Sequence, residues 1–147
     1  MSALKPVELQ EKLSAAELGA FLAEAFPQTT VTVEASGAGF ARVRQRVGPE
    51  QLRPGGTVSG PVLMGAADTA TYAALLASIG RVPLAVTTQL SIHFMRKPEA
   101  SHDVLAEARL LKLGSRLAVA EVRITSEGSD ALVAHATVTY SIPPQRA

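Results

Sequence analysis

Residues 61–79 are nearly all apolar, many of them small, and four segments of alternating side-chain character follow them. A helix with no face made for water must be enclosed, either by the rest of its own fold or by lipid. Asp68 interrupts the run and amphipathic strands follow closely, so enclosure by the fold is the reading that fits. Pro61 suits the first turn of such a helix, because an N–H there has no helical acceptor and the proline φ is already helical.

The rest of the chain supplies the wrapping. Ser14-Ala15-Ala16-Glu17 has the form of a capping box and opens a helix that Pro27 ends, with Leu18, Phe21, Leu22, Ala25 and Phe26 on one face. Residues 29–35 and 40–47 are rich in β-branched side chains and flank Ser36-Gly37-Ala38-Gly39, which predicts two strands and a short turn. Residues 48–59 hold Pro49, Pro54, Gly55 and Gly56 without periodicity and read as a loop. Farther on, Val86, Thr88, Leu90, Ile92 and Phe94 are expected on one side of a strand and Thr87, Gln89, Ser91, His93 and Met95 on the other. Residues 104–113, 117–125 and 132–142 alternate likewise, separated by turn signals at Gly114-Ser115 and at 127–130. One apolar helix and about six strands joined mostly by short turns imply the α+β class, a curved antiparallel sheet wrapped around a long buried helix. A chain of 147 residues suits one domain, with 1–28 as an N-terminal helical segment.

Composition narrows the functions. Apolar residues at 47% and charged residues at 18% suit a folded chain rather than a disordered one. Fourteen Lys and Arg against thirteen Asp and Glu leave +1, and aromatics are 4% with no Trp, so neither a polyanion-binding charge nor a base-stacking platform is present and no nucleic-acid partner is expected. The absence of Cys excludes disulfides, thiolate nucleophiles, zinc fingers and iron–sulfur clusters. His93, His102 and His135 lack metal-ligand spacing, so no metal is expected. Residues 1–10 carry Lys5 and Glu8 and no apolar run, unlike a secretory signal; a cytoplasmic setting without a membrane partner is expected.

Asp68 is the sharpest chemical feature, since an ionised carboxylate is almost never fully buried unless paired or used. Its helical neighbours Met64, Tyr72 and Leu75 cannot neutralise it. Either it serves chemistry, or it reaches the helix edge and accepts hydrogen bonds from a loop backbone. Val58-Ser59-Gly60-Pro61 is the second feature: a glycine just before a helix lets backbone amides approach a ligand at the positive end of the macrodipole, where a developing oxyanion is stabilised. Ordinary helix starts look the same. Arg42, Arg44 and Arg46 share one strand face and Arg96 and Lys97 end another strand; either group could meet phosphates, but the first reads as the solvated side of its strand, while the second stays open between the two roles.

The stretch Leu52-Arg53-Pro54-Gly55-Gly56-Thr57-Val58-Ser59-Gly60-Pro61, followed by Asp68 and by the segment 86–98, resembles the hotdog-fold acyl-CoA thioesterases of the PaaI-like family over about residues 38–142. The resemblance implies the hotdog fold and hydrolysis of an acyl-CoA thioester without a cofactor, in homodimers that often pair into tetramers. It makes Gly60 the amide that polarises the thioester carbonyl, Asp68 the nucleophile or general base, and Thr87 the hydroxyl that positions water. Ser59, Arg53, Val62, Arg96 and Lys97 would lie along the substrate. Ser59 stands where the family usually has His, Pro61 where it has a second Gly, and Arg53 where Asn or Gln is common. Pro61 donates no hydrogen bond, so the oxyanion site is expected to use Gly60, with Val62 as the next amide.

Gly60 and Asp68 are eight residues apart, roughly 12 Å along a helix axis and too far to touch one carbonyl. If both act on one thioester, Asp68 must come from a second chain whose helix runs alongside in the opposite sense, so the mechanism requires a homodimer. Two other functions compete. The changes at Ser59 and Pro61 suit a non-hydrolytic acyl-CoA binding module, and a hydratase on this fold is weaker because no histidine lies near Asp68 in sequence. Met64, Tyr72, Leu75 and Leu76 are candidates both for an acyl tunnel and for the packed core.

Overall fold

The computed structural model describes residues 9–144, so most of the N-terminal segment 1–10 read above lies outside the described residues. The capping box forms as the sequence predicts. The Glu17 amide donates to the Ser14 hydroxyl at 3.1 Å and the Ser14 amide to the Glu17 carboxylate at 3.2 Å, opening α1 (Ala15–Ala25). Leu18 and Leu22 bury, while Phe26 just past the helix end remains half exposed.

A hairpin of β1 (Val31–Gly37) and β2 (Phe40–Gln45) follows. The loop expected at 48–59 has more order than its composition suggests. A 3-10 turn at Pro49–Gln51 leads into a two-stranded hairpin of β3 (Leu52–Arg53) and β4 (Thr57–Val58). The hairpin turns through Gly55 and Gly56, whose φ angles of 98° and 77° suit glycine, and the Gly56 amide donates to the Arg53 carbonyl at 3.0 Å. The long helix α2 (Gly60–Ile79) comes next, with Ser59 as N-cap, and then four strands, β5 (Val86–Phe94), β6 (Val104–Leu113), β7 (Leu117–Ser126) and β8 (Leu132–Ser141).

Six strands form one antiparallel sheet in the order β1-β2-β6-β7-β8-β5, so β1 and β5 are its edges. Alternate residues of β2, β6, β7 and β8, from Ala41 and Val43 to Ala136 and Val138, turn onto α2 and bury completely. Small residues dominate this contact. Ala66, Ala67, Ala70, Ala73, Ala74 and Ala77 on the helix meet Ala106, Ala108, Ala118 and Ala120 on the sheet, which lets a helix pack closely on a curved surface. The α2 segment has the length and apolarity to cross a membrane, but most of it is buried inside this fold.

Enclosure of α2 is not complete. Pro61, Met64 and Gly65 are exposed and Asp68 and Thr69 half-buried, a stripe at helical spacing that the sheet leaves open. Beside it the edge strand β5 is exposed along most of its length, with Val86 and Phe94 each more than half accessible.

The outer face of β2, expected as its solvated side, carries ion pairs. Arg42 reaches Glu34 and Glu107, and Arg44 reaches Glu34, Asp103 and Glu127. The Val47 amide donates to Asp103 at 3.0 Å. That hydrogen bond first, and Arg44 after it, hold the Asp103 carboxyl below its ordinary value of 3.8 against the opposing effect of burial. A lowered carboxyl stabilises the fold fully above the unfolded value and loses that contribution as pH falls through the folded value. Asp103→Asn should therefore cost about 1 kcal/mol in chemical denaturation at neutral pH, and the gap from wild type should close as the pH drops below about 4. An equal gap at both pH values would contradict this role.

Candidate active site

The carboxylate of Asp68 is held by two hydroxyls from two strands. Thr87 Oγ1 on β5 donates to Asp68 Oδ1 at 2.5 Å, and the Tyr140 phenol on β8 donates to the same oxygen at 2.8 Å while lying 3.2 Å from the Asp68 carbonyl oxygen. Thr87 and Tyr140 are direct partners in the β5–β8 ladder. Neither of the two readings of Asp68 describes these partners in advance: the donors are side-chain hydroxyls, not a loop backbone.

The position of Thr87 corrects the expected face assignment of its strand. The ladder skips Thr88, and this bulge changes the phase: Thr87 pairs with inward-facing Tyr140, and beyond the bulge Leu90 and Ile92 pair with inward-facing Val138 and Ala136. Thr87 thus shares the inner face with Leu90 and Ile92 instead of opposing them. Without the extra residue its hydroxyl would point away from Asp68.

Tyr140 is 3% exposed and stacks on Tyr72 with ring centroids 5.9 Å apart and planes at 22°. Tyr72 in turn meets the edge of Phe26 at 6.0 Å, and its hydroxyl donates to the Pro83 carbonyl at 3.1 Å. Burial pushes the Tyr140 phenol far above its ordinary value; the Thr87 hydroxyl opposes this and the charge on Asp68 adds to it. The phenol therefore stays protonated and remains a donor across the working range of an enzyme. Asp68, Thr87, Tyr140, Tyr72, Phe26 and Pro27 border a cavity of about 700 Å³ between the end of α1, the flank of α2 and the start of β5.

Gly60 lies at the other end of the helix. Among the described residues its amide has no acceptor, whereas the Val62 amide is taken by the Ser59 carbonyl at 3.2 Å. This corrects the expectation for Val62: Gly60 is the free donor at this helix end. The Phe94 ring stands over Gly60, 3.4 Å from where a β-carbon would be. A second cavity, of about 380 Å³, brings together Gly60, Arg53, Phe94, Arg96 and Lys97. Arg53, Arg96 and Lys97 form no ion pair among the described residues, and the Arg96 guanidinium is anchored by donating to the Leu132 carbonyl at 3.0 Å. Ser59 caps the helix through its backbone alone and does not border either cavity, nor does Val62.

The expected site residues are thus divided between two cavities, Asp68 with Thr87 in one and Gly60 with the three cations in the other. Of the tunnel candidates, Tyr72 borders the Asp68 cavity, Leu75 and Leu76 are fully buried in the core, and Met64 lies on the open stripe of α2. No cluster of three or more potential metal ligands occurs among the described residues.

A family model described as Thioesterase superfamily matches residues 55–133, a span that includes Gly60, Asp68, Thr87 and the Arg96-Lys97 pair. The chain belongs to the thioesterase superfamily. A thioesterase candidate from a Silicibacter species matches this superfamily member at 46% identity with a TM-score of 0.87, over 97% of this chain and 100% of that one. A mutant of the phenylacetic acid degradation protein PaaI from Thermus thermophilus is 28% identical, with a TM-score of 0.69, over 84% of this chain and 99% of that one. Zebrafish thioesterase superfamily member 2 shares the fold at 23% identity with a TM-score of 0.80, over 90% of this chain and 100% of that one. No curated protein matches the chain. The architecture is the hotdog fold, the protein is PaaI-like, and family and neighbours together support thioester hydrolysis.

Tyr140 is the site residue that sequence reasoning missed. Its signal was weak but present: it is one of only two tyrosines in the chain, on the inward-facing phase of the last strand with Val138 and Ala136.

Proposed function

We propose that the protein hydrolyses an acyl-CoA thioester in a site completed by two subunits of a homodimer, in a cytoplasmic setting and without a cofactor. The observation that carries this reading is the separation of an anchored carboxylate and a free helix-end amide into two cavities at distant points of one helix. The open stripe of α2 beside the exposed edge strand β5 supports the dimer, because a second copy would cover apolar Met64, Val86 and Phe94. With two α2 helices antiparallel, each Gly60 amide faces Asp68 of the partner subunit.

In that arrangement the thioester carbonyl oxygen accepts the Gly60 N–H at the positive end of α2, and Arg53, Arg96 and Lys97 meet the phosphates of coenzyme A. Asp68 of the partner subunit takes one of two routes. As general base it removes a proton from water while the water oxygen bonds to the carbonyl carbon; the carbon–sulfur bond then breaks and the thiolate recovers the proton. As nucleophile, a carboxylate oxygen bonds to the carbonyl carbon and expels the thiolate; water then cleaves the anhydride, its oxygen and one hydrogen leaving in the free acid and its other proton going to the thiolate as the Asp68 carboxylate is regenerated. Both give a free acid and coenzyme A.

The non-hydrolytic alternative rests on Ser59, which lacks the imidazole that the family usually has there, and on Pro61, whose missing N–H leaves one amide instead of two at the helix end. A panel of acyl-CoAs separates the readings when thiol release and equilibrium binding are measured together. Catalytic thiol release is the expected result. Saturable one-to-one binding with no release across the panel would favour the binding module.

A further inference from the structure

Both hydroxyls that hold Asp68 donate to the same oxygen, Oδ1, and among the described residues Oδ2 accepts no hydrogen bond. A carboxylate oxygen carrying two donors is the poorer base and nucleophile of its pair, since its lone pairs are already engaged. We propose that Tyr140 is a positioning residue for the reaction: with Thr87 it occupies Oδ1, fixes the plane of the carboxylate and leaves Oδ2 as the oxygen that reacts. The inference rests on the thioesterase reading above and adds to it a residue and an atom.

Three features make Tyr140 suited to this. Its phenol and the Thr87 hydroxyl are carried by paired positions of adjacent strands, so the distance between the donors is set by the ladder and not by a loop. Its ring is locked between the core and Tyr72, so the hydroxyl has little freedom to leave Asp68. Finally, it stays protonated, as its burial requires, and so remains a donor to Oδ1 throughout catalysis. Held this way, the Asp68 side chain cannot rotate to exchange its two oxygens without breaking both hydrogen bonds.

Tyr140→Phe tests the role while keeping the stacked ring. The expected result is a fall in kcat of about tenfold with KM within about twofold, the split expected when a group positions the reacting carboxylate without binding substrate. A second measurement does not depend on turnover. The chain has three aspartates, Asp68, Asp103 and Asp130, so aspartate-selective ¹³C labelling gives three carboxyl signals, and Asp68→Asn identifies the one from Asp68. In Tyr140→Phe that signal should change its chemical shift at neutral pH, because one of the two donors to Oδ1 is gone, with the Asp103 and Asp130 signals unmoved. A wild-type kcat together with an unmoved Asp68 signal would overturn the proposal even if the protein is an active thioesterase. Absence of hydrolysis by wild type would instead count against the thioesterase reading, and the Asp68 carboxyl signal would still decide whether Tyr140 governs Asp68.

Discussion

Asp68→Asn should lower kcat for thioester hydrolysis by about 10³-fold, near 4 kcal/mol of transition-state stabilisation, with a much smaller change in KM. Asparagine has nearly the same shape, and its carbonyl oxygen can still accept from Thr87 and Tyr140, so the inner end of β5 should keep its ladder to β8. What disappears is an oxygen able to take a proton or attack carbon. Residual hydrolysis would come from binding and from the Gly60 amide, which the substitution does not touch. Steady-state thiol release, with circular dichroism to confirm the fold, measures this. Equal rates in the two proteins would remove Asp68 from the chemistry and leave it as a hydrogen-bonded structural carboxylate.

Mixing two inactive variants should restore activity if the site is shared. Gly60→Val places branched carbons against the Phe94 ring, which a glycine β-carbon position already approaches to 3.4 Å, and so obstructs the amide end of the site. Phe94 is half exposed and can move aside, so the variant should still fold. Asp68→Asn spoils the other end. In a mixed dimer, one of the two sites combines an intact Gly60 with an intact Asp68, and the other carries both defects. Random reassociation makes about half the dimers mixed, so activity should recover to about one quarter of wild type from two preparations that each show almost none. If every site lay within one chain, mixing would restore nothing. Full activity of a monomer in sedimentation measurements would also defeat the shared site.

Much of this molecule is legible along the chain because its controlling physics is local. The capping box at Ser14 and Glu17 needs only residues three apart, and both of its hydrogen bonds form. Strands β6, β7 and β8 keep the alternation that their sequences display over most of their length, because each has one face on the α2 core; it breaks at Leu111 and Val133, which the ladders skip. The Asp68 position could be singled out because a carboxylate within an apolar helix demands partners. Spacing names neither partner: Thr87, which only the family resemblance puts in the site, is 19 residues away, and Tyr140 is 72. The bulge at Thr88 was likewise hidden, since the register of β5 is set by its pairing with β8 rather than by its own alternation. Alternation alone therefore puts Thr87 on the wrong face.

At the Gly60 end, sequence marks a flexible residue before a helix, while only the structure says which amide is free. Val62 has an N–H but gives it to Ser59, a consequence of the tight first turn. The convergence of Arg53, Arg96 and Lys97 on Gly60 depends on the short β3–β4 hairpin lying beside the end of β5, two segments far apart along the chain.

By itself the sequence determined that a long apolar helix would be buried, that amphipathic strands would enclose it, and that one carboxylate would be left requiring partners, because burial and alternation follow from side-chain polarity at fixed periods. Tertiary structure decided which oxygen of Asp68 is held and by which hydroxyls, which amide is free, and which stripe of α2 stays open. Those outcomes depend on strand register and on segments meeting across the fold, where a shift of one residue reverses a side chain and no local period records the choice.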